Sequence, residues 1–288
     1  MKSKTHELKV RLVGGVGNQL FQFFAGKSIS QQLNLKPKFD YRWLDTLSYH
    51  QKSDIRDFKF TNDEACVHGK ELNLLIEKSK TSLAHLSPTA ARILKLNLKT
   101  TNSPEDIKKI LSGYELRGYY QTPLFYLNYQ ENYKTIAWDL NLTSVKYETA
   151  RKKLTSQNFI ALHVRGADYL KFQNVYSQLS LNYYIRSLDV IQSSVGKLPI
   201  YVFTDDFSYA SKLLTSIKGL EFQNTNGMRA SEVLKLMSYS KARVISNSTF
   251  SYWAAIASMN KLTIAPRDWY VNKTVRADFY PKDWIVIK

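Results

Sequence analysis

Apolar and polar positions follow a different rhythm in the two halves of this chain. Residues 8–13 (LKVRLV) alternate as a half-buried strand does and run straight into Gly14, Gly15 and Gly17. Asn18 can then cap a helix whose apolar positions Leu20, Phe21, Phe24, Ile29 and Leu33 recur at helical spacing to about residue 35. From 37 to 151 the pattern is irregular. It offers a short strand at 38–41, helical stretches at 71–80 and 104–111, and a strand at 114–120 followed by Gln121, Thr122 and Pro123. Residues 141–158 read as a polar helix and as the domain junction, dividing the chain into 1–152 and 153–288.

Beyond the junction, short apolar runs alternate with helical patterns. Strands are predicted at 159–165, 200–204, 220–223, 243–246 and 262–265, and helices at 181–191, 209–217, 231–239 and 248–259. Repeated βα alternation implies a parallel sheet covered on both faces. With the strand-first opening of the chain, this gives an α/β protein of two Rossmann-like domains facing across a cleft.

Two nucleotide-binding motifs fail on inspection. Gly15, Gly17 and Leu20 lack the third glycine of the dinucleotide fingerprint. Gly26-Lys27-Ser28 resembles the end of a P-loop, but Phe21 stands where its first glycine belongs and the triplet lies inside the helix. What remains is a glycine turn through which the backbone and the amides of Asn18 and Gln19 can approach a ligand.

Charge alters the picture of partners. The 41 Lys and Arg against 24 Asp and Glu give a net charge of +17, which suits an anionic partner. The basic residues are scattered, without zinc spacing, basic arm or aromatic RNA motif, so nucleic acid is not the expected partner. Cys66 is the only cysteine, which excludes an internal disulfide and a cysteine metal cluster. No signal-like segment opens the sequence and no run approaches 18 apolar residues, so a cytoplasmic protein is expected.

The candidate chemistry lies at strand ends of the second half. The run 159–169 (FIALHVRGADY) ends in His163, Arg165 and Asp168; the next strand ends in Thr204, Asp205 and Asp206; another in Ser246, Asn247, Ser248 and Thr249. An arginine fork and a helix start rich in hydroxyls form a diphosphate cradle that needs no metal. Asp205 and Asp206 also read as a weak metal site or as a helix cap.

Together these stretches resemble the bacterial α-1,2-fucosyltransferases of glycosyltransferase family 11. GGVGNQLFQ at 14–22, GYYQT at 118–122, HVRGADY at 163–169 and SNSTFSYW at 246–253 match the family in order and spacing. The resemblance implies a GT-B fold and an inverting transfer of L-fucose from GDP-fucose to the 2-hydroxyl of a terminal galactose, without an obligatory metal. It gives Arg165 to the donor diphosphate with His163 beside it, and one of Asp205 and Asp206, preferably Asp206, to guanine. Ser246, Asn247, Ser248 and Thr249 complete the donor site, Gly15, Asn18 and Gln19 line the acceptor side, and Asp168 is the candidate general base or a carboxylate fixing the loop. The acceptor glycan could be lipid-linked, as in O-antigen assembly, and the basic surface could hold the enzyme against the anionic inner face of the membrane. Gly166 and Ala167 replace an arginine and a glycine of the family pattern, with Lys171 or Arg229 as compensating cations. Another nucleotide sugar as donor, and a nucleic-acid-binding protein, are the alternative readings.

Overall fold

In a computed structural model the described residues are 6–46, 55–69, 115–128, 136–166, 169–258, 262–275 and 277–288, with a few positions between 87 and 97. The chain divides into two compact units, Met1–Asp139 and Leu140–Lys288.

Unit 1 holds a five-stranded parallel sheet in the order β3-β2-β1-β5-β4, formed by β1 (Glu7–Arg11), β2 (Lys36–Asp40), β3 (Cys66–Val67), β4 (Leu96–Asn97) and β5 (Glu115–Leu116). The predicted strand at 114–120 is thus only two residues long, and the helical stretches expected at 71–80 and 104–111 lie outside the described residues. Helix α1 (Val16–Gln32) is buried on nearly every face, including Gln19 and Gln22, rather than along one stripe. Gly26 explains how it lies so close to the sheet: a Cβ there would fall 2.7 Å from a Val10 methyl and 3.0 Å from the Phe39 ring. The P-loop-like triplet is therefore a packing device, with Lys27 paired to Glu64. Phe23 stacks on Phe39 at 4.6 Å, and Phe24, Phe58, Phe60 and Trp138 complete an aromatic core. Two short helices, α2 (Arg42–Thr46) and α3 (Pro123–Asn128), also belong to this unit.

Unit 2 begins at Leu140, ahead of the polar helix expected to form the junction. That helix, α4 (Val145–Thr155), is capped by Ser144, whose backbone N–H donates to Glu232 at 2.6 Å, and Tyr147 and Tyr239 hydroxyls meet at 3.1 Å. These bonds reach residues far along the chain and bind the helix to the second unit.

The sheet here has six parallel strands in the order β11-β10-β9-β6-β7-β8. They are β6 (Ile160–Val164), β7 (Ile200–Thr204), β8 (Leu220–Phe222), β9 (Ala242–Val244), β10 (Leu262–Pro266) and β11 (Ile285–Ile287). Helices α5 (Leu181–Val195), α6 (Phe207–Leu213), α7 (Ala230–Ser238) and α8 (Thr249–Ile256) alternate with them, as the sequence predicts; only β11 was unforeseen. All five residues of β6 are buried, which is why it reads as one apolar run.

Strand order reverses between β6 and β9 in this sheet and between β1 and β5 in the other. Ligand crevices of open α/β sheets form at such switch points, beyond the carboxyl ends of the strands.

Candidate functional site

At the switch point of unit 2, the ends of β6 and β9 bring the 163–169 and 246–253 motifs together. His163 is buried, its Nδ1 2.7 Å from Ser246 Oγ, with the Phe250 ring 5.5 Å away. Burial first, and then the positive charge of Arg165, hold its pKa down to about 3, so the imidazole is neutral near pH 7. Two residues on, Arg165 is only partly covered. Its Nη1 meets Asp205 Oδ2 at 2.7 Å and its guanidinium lies 5.3 Å from the Tyr169 ring centre. A fork held in this way keeps its planar charge in place while remaining reachable by an anion.

Asp205 and Asp206 have separate tasks. Asp205 braces Arg165 and accepts the Gly166 N–H at 2.8 Å. Asp206 caps α6, accepting the Tyr209 N–H at 3.0 Å. It is Asp205 that lines a cavity of about 280 Å³ at the ends of β7 and β8, with Thr204, Phe207, Phe222 and residues 223–226. The two rings stand edge to face at 5.0 Å, and Phe207 is 64% exposed. Of the two carboxylates, Asp205 lines this cavity, whereas Asp206, the one preferred from the sequence, caps α6 through Oδ1.

The missing arginine at 166 has a steric reason. A Cβ on Gly166 would sit 2.7 Å from Asp206 Cβ and 3.1 Å from the Tyr209 ring, so α6 fills the space a side chain would need. At the start of α7, Arg229 pairs with Glu232 at 3.6 Å and donates to the Leu142 carbonyl. Lys171 is exposed in the short turn Tyr169–Lys171. Ala167 and Asp168 lie outside the described residues.

The 246–249 cluster is mostly internal scaffolding. Asn247 Nδ2 donates to the carbonyls of Ser177 at 2.9 Å and Trp269 at 3.0 Å, and its own carbonyl accepts the Tyr169 hydroxyl at 3.0 Å. Ser248 caps α8 by accepting the Phe250 N–H, leaving Thr249 half-buried at the helix start. The helix dipole adds positive potential there.

Unit 1 also unites two motifs at its switch point, where Gln121 Nε2 donates to Asn18 Oδ1 at 2.9 Å. Its neighbour Tyr120 is held at φ +50°, a strained conformation for an aromatic residue. Gly15, not Asn18, is the N-cap of α1, and its carbonyl accepts the Asn18 and Gln19 N–H groups. Those amides are thus already used. Gln19 is fully buried, donating to the Gly14 carbonyl at 2.7 Å and accepting from Ile55 N–H at 2.9 Å. Gly15 is exposed and Asn18 half-buried, so of the three residues expected on the acceptor side they, and not Gln19, reach the surface.

Sequence reasoning missed an aromatic ladder. Tyr169 stacks on Tyr176 at 4.0 Å, and Tyr176 lies 5.7 Å from Tyr270. The only hint in the sequence is the density of tyrosine, 19 in 288 residues, which does not say which of them meet.

No described helix is long and apolar enough to cross a membrane. The family model described as Glycosyl transferase family 11 matches residues 7–288. The chain is similar to an alpha-1,2-colitosyltransferase of Escherichia coli, 26% identical over 96% of this chain and 98% of that protein. It is 25% identical to the O-antigen biosynthesis glycosyltransferase WbnK of Escherichia coli, over 90% of this chain and 93% of the relative. Among solved structures, the fucosyltransferase NodZ from Bradyrhizobium matches 88% of this chain and 92% of its own, with 11% identity and a TM-score of 0.51. The two parallel sheets and this likeness make the fold GT-B, with two Rossmann-like units.

Proposed function

The chain belongs to glycosyl transferase family 11 and is a glycosyltransferase, and on that footing we propose that it moves L-fucose from GDP-fucose to the 2-hydroxyl of a terminal galactose on a glycan acceptor, with inversion. The observation that carries the reading is Arg165, a braced but reachable guanidinium at the β6–β9 switch point, beside the start of α8 and a base-sized aromatic cavity. The named activity of the colitosyltransferase relative supports a 6-deoxyhexose and an α-1,2 linkage.

Departure of GDP leaves negative charge on the phosphates as the sugar becomes oxocarbenium-like. Arg165 and the Thr249 helix start are preorganised to receive that charge, so this reading requires no metal. The guanine would enter the Phe207–Phe222 cavity, with Asp205 accepting from its edge. Neutral, buried His163 holds the Ser246 end of the cradle in place. The acceptor hydroxyl attacks from the opposite face, and Asp168 is the proposed base for its proton. An Asp168→Asn variant should lose turnover and the acidic limb of its pH profile; an unchanged rate removes Asp168 from that role.

A second reading is favoured by the same relative: colitose is fucose without its 3-hydroxyl, and the donor could be the corresponding GDP sugar. Incubation with GDP-fucose and with GDP-colitose, over a panel of galactosides, followed by linkage determination decides between them. Inhibition by UDP but not GDP would reject both. The relative named for O-antigen biosynthesis supports a glycan acceptor; that this acceptor is lipid-linked, with the +17 charge holding the enzyme at the inner face of the membrane, is part of the proposal, and failure to sediment with anionic vesicles at low salt would count against that placement.

A further inference from the structure

The carboxyl edge of the second sheet carries another cavity, on the opposite flank from Asp205. It is an open groove of about 880 Å³ at the ends of β10 and β11, walled by the 177–182 segment, the first turns of α5 and the 266–274 loop. We propose that this groove is a second carbohydrate site, built for a saccharide that carries a negative charge.

The chemistry of the walls points to that class. Arg186, Arg267, Lys273 and Lys288 place four cationic side chains around the groove, and Asp268 is the single acidic side chain in its described lining. Asp268 lies 3.4 Å from Arg267, both about half exposed, so water screens the pair and Arg267 remains available to an anion. Between the cations stands Tyr270, with Lys273 Nζ 5.9 Å from its ring centre. An aromatic face beside amide and hydroxyl groups such as those of Asn182, Asn272 and Ser180 suits a sugar ring, whose C–H face packs on the ring while its hydroxyls bond at the rim. Arg186 donates to the Lys288 carbonyl at a long 3.4 Å; a carboxylate or phosphate on the saccharide would add a charge-assisted partner for these exposed cations, which a neutral sugar cannot supply.

The groove is also preformed. Tyr176 and Tyr270 pair as an antiparallel bridge, Val271 N–H donates to the Val175 carbonyl at 3.0 Å, and Asn247 ties Ser177 to Trp269. Its two walls are thus clamped together, which lowers the ordering cost of binding. The ladder Tyr169–Tyr176–Tyr270 runs from beneath Arg165 to the groove, so the two sites share a rigid partition within one unit.

The site is read by binding alone and does not depend on which donor the enzyme uses. Titration calorimetry of the full chain against a glucuronate-terminated disaccharide, galactose 6-phosphate and a neutral disaccharide, each with saturating GDP present, supplies the test. At least one anionic ligand should bind roughly tenfold or more tighter than the neutral one, and weaken as salt rises. The first two arms tell a carboxylate from a phosphate. A folded Arg267→Ala/Lys273→Ala double variant should lose that preference while retaining GDP affinity, and Arg165→Ala should show the reverse. Equal affinity for charged and neutral saccharides, displacement of the anionic ligand by GDP, or an unchanged double variant would overturn the proposal. Tyr270→Ala, checked by its melting curve, should weaken all saccharides, and unaltered binding would remove the ring from the site.

Discussion

Strands β1 and β6 open their units in the same way, each running into a glycine-bearing turn dense with polar residues, yet the two turns use those residues in opposite directions. After β1, Gln19 and Gln22 point inward and bond the backbone of Gly14, Ile55 and Val13, and the Asn18 and Gln19 amides close on Gly15. At the end of β6, buried His163 is held by Ser246, and just past it Arg165 emerges with its charge reachable. A strongly marked motif can therefore be a scaffold in one unit and a binding surface in the other. What separates them is burial: amides enclosed in the unit and bonded to its backbone stabilise a turn, whereas a guanidinium that is 26% exposed presents charge to a ligand.

The contrast breaks first at Arg165. Replacing it with alanine should cut turnover on the order of a hundredfold or more, with the melting curve little changed. Near-normal turnover in a folded variant would place β6 with the scaffolds.

His163 sharpens the same side through pH. Its pKa is held to about 3 in the folded chain, mainly by burial, against roughly 6.5 when unfolded. Between those values the unfolded state binds the extra proton. The stabilisation is thus complete above about pH 6.5 and is lost as pH falls toward 3, by up to about 1.4 kcal/mol per pH unit. Denaturant unfolding at several pH values should show a shallower slope in His163→Gln than in the parent. Parallel curves would mean that the imidazole is not held neutral.

The smallest expected effect tests the other turn. Gln19→Ala should cost about 1–3 kcal/mol of stability by leaving the Ile55 N–H and Gly14 carbonyl unpaired. GDP affinity should not change. A loss of GDP affinity at full stability would show that the β1 turn binds ligand after all.

Much of unit 2 was legible in advance. Strands β6, β7 and β9 are buried along nearly all their length and so appear as short apolar runs, and β6 to β9 are each followed by a helix in the sequence; Ile200–Thr204 is found as expected. Strand β11 was not, since Ile285 and Val286 are exposed and its place depends on pairing with β10. The polar helix α4 carried no mark of its unit, because its ties to Glu232 and Tyr239 come from distant sequence. At the site, Arg165 could be picked out because a permanent charge closing an apolar run has few structural uses. The sequence favoured Asp206 over Asp205 for guanine but carried no sign of which carboxylate caps α6, since that depends on backbone direction at one residue.

By itself, then, the sequence determined the βα alternation, the four motifs and the family they mark, because strand burial, glycine turns and charged strand ends leave local signatures. Tertiary structure alone decided which polar groups face inward, how Tyr169, Tyr176 and Tyr270 line up, and that one cavity opens beside Asp205 and another at the ends of β10 and β11. The physical reason is that a side chain's partners across a sheet edge are set by strand order. Strand order brings β6 beside β9 across an interval of sequence whose local pattern holds no record of that pairing.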